Sequence, residues 1–318
     1  MNHLECVTSK RNKWYWYLLV VFLSFFAALA IGGIPFVILL IISTIKNGTL
    51  NIDAMNRGDY EAMGFDLNIG FACEIFTFTV MLIAAVLLIK LFHDRSWKEV
   101  INGTNRIRWS RFFFGFLVWG IILLVPSFIA YFTEPESMIF RFDPAKFFVL
   151  LFIALIFIPI QASTEEFIFR GYLAQGVASL TKSRWWALII PSLLFGLVHG
   201  VNPEIEEYGF GISMFQYIFW GIMFGLMSIM DDGIELAMGV HTVNNLIGSL
   251  LFTYKSSAIR SYALFELIDY DPKKEIIPFV ISGFIILAIF AYKYKWNLKI
   301  INQKVVSRDI NPERIQSI

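Results

Sequence analysis

Residues 147–170 read FFVLLFIALIFIPIQASTEEFIFR, and this stretch decides the class of the chain. An apolar run of bilayer-crossing length, about 20 residues, leads without a loop into Glu165-Glu166-x-x-x-Arg170. Ionisable groups in such surroundings are costly and by default mark a functional site. Two fragments of the same kind follow in apolar sequence, Phe195-x-x-x-His199 and His241-x-x-x-Asn245. The i,i+4 spacing of each puts its end residues on one helix face. Two of the chain's four histidines lie in these fragments.

Composition agrees with a membrane protein. Hydrophobic residues make up 57% and charged residues 16% of 318 positions, against roughly 45–50% and about 25% in soluble domains. The expected fold class is all-α, a polytopic integral membrane helical bundle of about eight transmembrane helices. Their limits are near 14–45, 69–92, 112–132, 147–164, 185–200, 213–230, 234–253 and 276–294. A net charge of +1 without a basic, aromatic-interleaved stripe argues against nucleic acid. Glycine-rich phosphate loops and zinc-type cysteine spacing are absent.

Two helices pose geometric problems. The first crossing is too long to stand upright, so it should tilt, kink near Pro35 or extend beyond the membrane. From Lys146 to Lys182 a continuous helix would reach about 54 Å. Either Pro159 bends it or the part after Gly171 lies along the inner surface. Gly221-x-x-x-Gly225 offers a close-packing face.

Basic residues orient the chain. With the N-terminus inside, one side holds Lys10, Arg11 and Lys13, the Lys90–Arg111 group, Lys182, Arg184 and a tail running through Arg308 and Arg314. The other side, with Lys46, Arg57, Arg141, Lys146, Lys255, Arg260, Lys273 and Lys274, has about half as many. This places both termini in the cytoplasm. The turn at Asp231-Asp232 dissents, being placed inside without a basic residue.

The fragments carry a coherent chemistry. Glu166 and Arg170 stand in the favoured acid-before-base order for an i,i+4 ion pair. Adjacent Glu165 points about 100° away, has no local cation and suits a general base. His199 reads equally as an interfacial histidine, and His241 with Asn245 as a helix-to-helix hydrogen bond. Together, a carboxylate and an imidazole can hold and deprotonate water, while an imidazole and an amide can donate to an oxyanion. Those are parts for hydrolysing a peptide bond. Glu74, a further acid in the second crossing, reads as a solvated interface residue.

In these residues the chain resembles the CPBP family of intramembrane proteases, also called Abi or type II CAAX prenyl endopeptidase-like. The family's motifs, E-E-x-x-x-R, F-x-x-x-H and H-x-x-x-N/D, occur in order on successive helices. The resemblance covers roughly residues 145–255, dividing the chain into 1–144, the 145–255 core and 256–318. It implies a cavity among the motif helices, with Glu165 and His199 activating water. His241 and Asn245 would stabilise the oxyanion, and Glu166 with Arg170 would support the site. No cofactor is firmly implied. Filing of the family with metalloproteases makes zinc a candidate, with Glu165, His199 and His241 as the ligands available. The implied partners are the lipid bilayer and a membrane-bound or lipidated peptide, or a bacteriocin system or sensor kinase. A bacterial plasma membrane location fits. The competing readings are a non-catalytic membrane adaptor or immunity protein and a transporter.

Overall fold

The computed structural model describes residues 3–7, 12–49, 51–56, 59–254, 256–257, 260–268 and 270–306. Lys10, Arg11, Arg57, Lys255, Arg308 and Arg314, used above for orientation, lie outside the described residues.

Polar residues set where the long helices begin. Helix α1 (Trp14–Asn47) is followed by α2 (Leu67–His93), where the Asp66 side chain accepts from the Asn68 N–H. Helix α3 (Trp109–Thr133) leads to α4 (Pro144–Thr181), capped by Asp143 with Pro144 in its first turn. Ser183 caps α5 (Arg184–Val198), α6 spans Phe210–Met230 and α7 spans Glu235–Leu250. Asp271 caps α8 (Pro272–Tyr294), again with proline in the first turn. Short acceptor side chains before a helix satisfy its free N–H groups, and proline loses nothing at that position. At the far end of α1, Gly48 takes the left-handed conformation (φ 74°) that closes a helix.

The architecture is a helical membrane bundle, as the composition implies. Six of these helices are long and apolar enough to span a bilayer among the described residues. The expected crossings at 185–200 and 234–253 correspond to α5 and α7, of 15 and 16 residues. At about 22–24 Å these fall short of a hydrocarbon core of roughly 30 Å. They carry motif residues: α7 packs against α3 and α4, and α5 packs one face on α6 while Trp186, Leu193 and Leu197 on its other face stay exposed. One small sheet interrupts the all-α pattern. Strands β1 (Met138–Phe140), β2 (Phe252–Thr253) and β3 (Phe265–Leu267) run in the order β1-β3-β2, tying together the α3–α4 and α7–α8 connections.

Both length problems are met by π turns rather than by breaks. Helix α1 continues to Asn47 through a π turn at Ala28–Gly32, just before Pro35. Helix α4 runs unbroken past Pro159 and contains a π turn at Phe167–Leu173. After Gly171 the helix continues in line, and Gly171 through Gly176 are all buried by neighbouring protein. Gly221 and Gly225 form the close-packing face expected of them. A Cβ at Gly221 would sit 2.7 Å from the Ser192 carbonyl oxygen, and one at Gly225 would sit 2.5 Å from Leu188.

The Asp231 turn finds its cations in another segment. Arg108 Nη1 lies 3.3 Å and Arg111 Nε 3.1 Å from Asp231 Oδ2, and Arg108 Nη2 pairs with Glu235 at 2.5 Å. Long-range pairing explains why the local sequence lacked a basic residue. Near the opposite end, Glu74 is exposed, and its Oε1 accepts from Tyr60 Oη at 2.6 Å.

Candidate functional site

Helices α4 and α7 run past each other so that residues one turn apart on each form two rungs. In the first, Glu165 Oε2 lies 3.4 Å from His241 Nε2. In the second, Asn245 Nδ2 donates to Gln161 Oε1 at 2.9 Å. Sequence number rises on one helix as it falls on the other, so the pair is antiparallel. The i,i+4 spacing of both fragments aligns these rungs on facing stripes. Glu165, His241 and Gln161 are all buried.

Behind the first rung stands the expected ion pair. Arg170 Nη1 donates to Glu166 Oε1 at 3.1 Å, and Arg170 Nη2 donates to the Gly221 carbonyl at 3.3 Å. The guanidinium also lies over the rings of Phe195 (4.0 Å) and Phe224 (5.2 Å). Aromatic faces compensate a buried cation for part of its lost hydration. Glu166 Oε1 additionally faces His241 Nδ1 at 2.9 Å. An ionised carboxylate only accepts, so His241 carries its proton on Nδ1. Its ring stacks on Phe224 at 4.9 Å with 18° between planes.

Glu165 therefore has a partner on another helix that the linear sequence did not show. At 3.4 Å the His241 Nε2–Glu165 Oε2 separation is an ion-pair distance without a formed hydrogen bond, and Glu165 Oε2 is buried with no hydrogen-bond donor.

His199 closes α5, and its Nδ1 donates to the Phe195 carbonyl at 2.7 Å. That bond leaves Nε2 as the available nitrogen. The ring is clamped between Phe195 (4.6 Å) and Tyr217 (4.5 Å), and Asn202 Nδ2 donates to the Tyr217 hydroxyl at 2.8 Å. Phe195 also meets the His241 ring edge-on at 6.2 Å, linking the two histidines through one aromatic side chain.

The trio Glu165, His199 and His241 does not fit a metal ion in this arrangement. Among the described residues no three His, Cys, Asp or Glu side chains are placed to hold one. His241 Nδ1 is held by Glu166 at 2.9 Å, and Nε2 faces Glu165 Oε2 at 3.4 Å.

Sequence reasoning did not single out Gln161, Tyr217, Asn202 or Trp119. Gln161 was accessible to the rule used elsewhere, since it precedes Glu165 by four residues. Tyr217 and Trp119 carry no local signal, because long-range packing alone brings them to the site. Asn244, which points away from His241 around the helix, is drawn in by its neighbour: its Nδ2 donates to Asn245 Oδ1 at 3.1 Å.

Comparisons with known proteins converge on this region. Residues 144–247 match the family model of the type II CAAX prenyl endopeptidase Rce1-like proteins. The chain is also 27% identical over 247 residues to an uncharacterized Bacillus subtilis protein, YyaK, covering 77% of this chain and 81% of the relative. No solved structure matches. The matched segment contains every motif residue just described, and through it the chain is similar to the type II CAAX prenyl endopeptidase Rce1-like proteins.

Proposed function

We propose that the protein is an intramembrane endopeptidase that hydrolyses a membrane-bound or lipidated peptide with a water activated by Glu165. The observation that carries this reading is the Glu165–His241–Glu166–Arg170 chain, enclosed in the bundle and held from both ends.

Glu165 takes a proton from water as the water oxygen attacks the peptide carbonyl carbon. His199 Nε2 holds the same water by accepting its second hydrogen. While Glu165 is ionised it attracts His241 Nε2–H. Once Glu165 is protonated that attraction ends, and the imidazolium N–H is free to serve the developing oxyanion. Glu166 keeps the His241 ring oriented throughout, and Arg170 balances Glu166. The C–N bond then breaks, and Glu165 returns its proton to the leaving amine, giving a carboxylic acid and an amine. No step passes through a metal.

The test is cleavage of a bilayer-embedded peptide, with and without a prenyl group, by purified protein reconstituted in vesicles. Glu165→Gln should lower kcat by about 10²–10⁴-fold while melting at the wild-type temperature. Cleavage by Glu165→Gln within tenfold of wild type would sink the general-base role. A wild type that cuts no peptide, in cells where Glu165→Gln has no phenotype, would favour a non-catalytic membrane adaptor.

A further inference from the structure

The second rung belongs to a longer chain of hydrogen bonds whose direction is set by chemistry. Trp119 Nε1 is 3.2 Å from Asn244 Oδ1. An indole N–H only donates, so Asn244 must present its oxygen there. Its Nδ2 is then committed to Asn245 Oδ1 at 3.1 Å, which turns Asn245 Nδ2 toward Gln161 Oε1 at 2.9 Å. Every amide passes a hydrogen to the next. The chain ends at Gln161 Nε2, which makes no hydrogen bond among the described residues. Amides linked head to tail polarise one another, so the terminal N–H is a better donor than an isolated one.

Gln161 is one turn from Glu165 on the same face of α4, and its side chain is buried. Its Nε2 is not among the sealed, unpartnered polar atoms of the described residues, so it stays open to a ligand one turn from the carboxylate proposed to activate water. His241 Nε2 faces Glu165 at 3.4 Å and Asn245 spends one of its two N–H groups on Gln161, so the Gln161 N–H adds a donor to those already beside Glu165. We propose that Gln161 is a catalytic residue whose Nε2–H donates to the oxyanion of the tetrahedral intermediate, with Asn245, Asn244 and Trp119 as its positioning residues. This rests on the endopeptidase reading.

Gln161→Glu and Gln161→Met separate this from a mere anchoring role. Glutamate still accepts from Asn245 but has no N–H to give, whereas methionine has neither function and adds no charge. Both variants should lower kcat by about 10²-fold, the loss typical of one oxyanion donor, with KM within threefold. The acid limb of the kcat/KM profile should not move. Trp119→Phe, which removes the first donor, should lower kcat by a smaller factor at unchanged KM. Each variant is compared at equal melting temperature with wild type and Glu165→Gln on the same embedded peptide. Wild-type kcat in either Gln161 variant, or a Gln161→Glu loss that tracks a displaced acid limb, overturns the assignment and leaves the protease reading standing. A wild type that cuts nothing overturns both.

Discussion

Helices α1 and α4 each exceed the membrane thickness, and each contains a π turn, at Ala28–Gly32 and Phe167–Leu173. Each turn brings a glycine onto a neighbour's backbone. A Cβ at Gly32 would lie 2.9 Å from Thr77 Cα, and one at Gly171 would lie 3.0 Å from the Val100 carbonyl oxygen. The surroundings then diverge. In α1, Leu29 and Ile31 stay 75% and 58% exposed, as suits side chains facing lipid. In α4 every residue of the turn is buried, Arg170 reaches back to Glu166, and the Arg170 carbonyl accepts from His3 Nε2 at 3.0 Å. π turns are frequent at functional sites, but here one serves packing alone. The geometry becomes chemistry only where enclosed polar partners surround it.

Breaking the ion pair tests the α4 side most severely. Arg170→Met leaves Glu166 buried with only the His241 N–H facing its charge, which should cost about 3–5 kcal/mol. Chemical unfolding in detergent would measure it. A loss no larger than that of a lipid-facing substitution in α1 would mean that the pair adds nothing to the fold.

The paired substitutions Gly32→Ala and Gly171→Ala sharpen the comparison. Each should destabilise by about 1–3 kcal/mol through overpacking. Only Gly171→Ala should also lower kcat at matched temperature below melting, because Arg170 and Glu166 lie within a turn of it. Equal effects of the two on kcat would erase the distinction drawn here.

The smallest effect concerns the N-terminal segment beneath the α4 turn. Burial holds the His3 imidazole down at about 4, against the opposing influence of Asp232, the Arg170 carbonyl and Glu235. Arg108 acts in the same direction as burial. Its Nε2–H donates to Arg170 while Nδ1 faces the Gln175 amide nitrogen at 3.2 Å, so the folded ring is neutral. The unfolded chain takes up this proton near pH 6.5 and the folded one does not. Stability is therefore complete above that pH and declines as pH falls toward 4. Wild type should lose about 1 kcal/mol more than His3→Gln between pH 7 and pH 5.5. Parallel melting curves for the two proteins would show that His3 does not titrate on unfolding.

How much of this was legible in the chain follows from range. The apolar runs placed seven of the eight helices to within a few residues, because lipid imposes its length scale on each segment separately. Helix α4, by contrast, runs on to Thr181, well past the expected end at 164. The Glu166–Arg170 pair was legible because i,i+4 neighbours meet on any helix. Gln161 was open to the same spacing argument. The π turns were not, because α1 and α4 exceed a span for reasons that lie in their neighbours' backbones. Nor was the partner of Glu165, which belongs to a helix 76 residues further along.

By itself, then, the sequence determined the membrane class, most helix boundaries and which polar residues share a helix face, since each follows from local periodicity and solvation. Tertiary structure alone decided which face meets which. It set His241 between two carboxylates, supplied Arg108 and Arg111 to the acidic turn, and threaded the amide chain from Trp119 to Gln161. These contacts depend on how helices far apart in sequence pack, which no short stretch of sequence encodes.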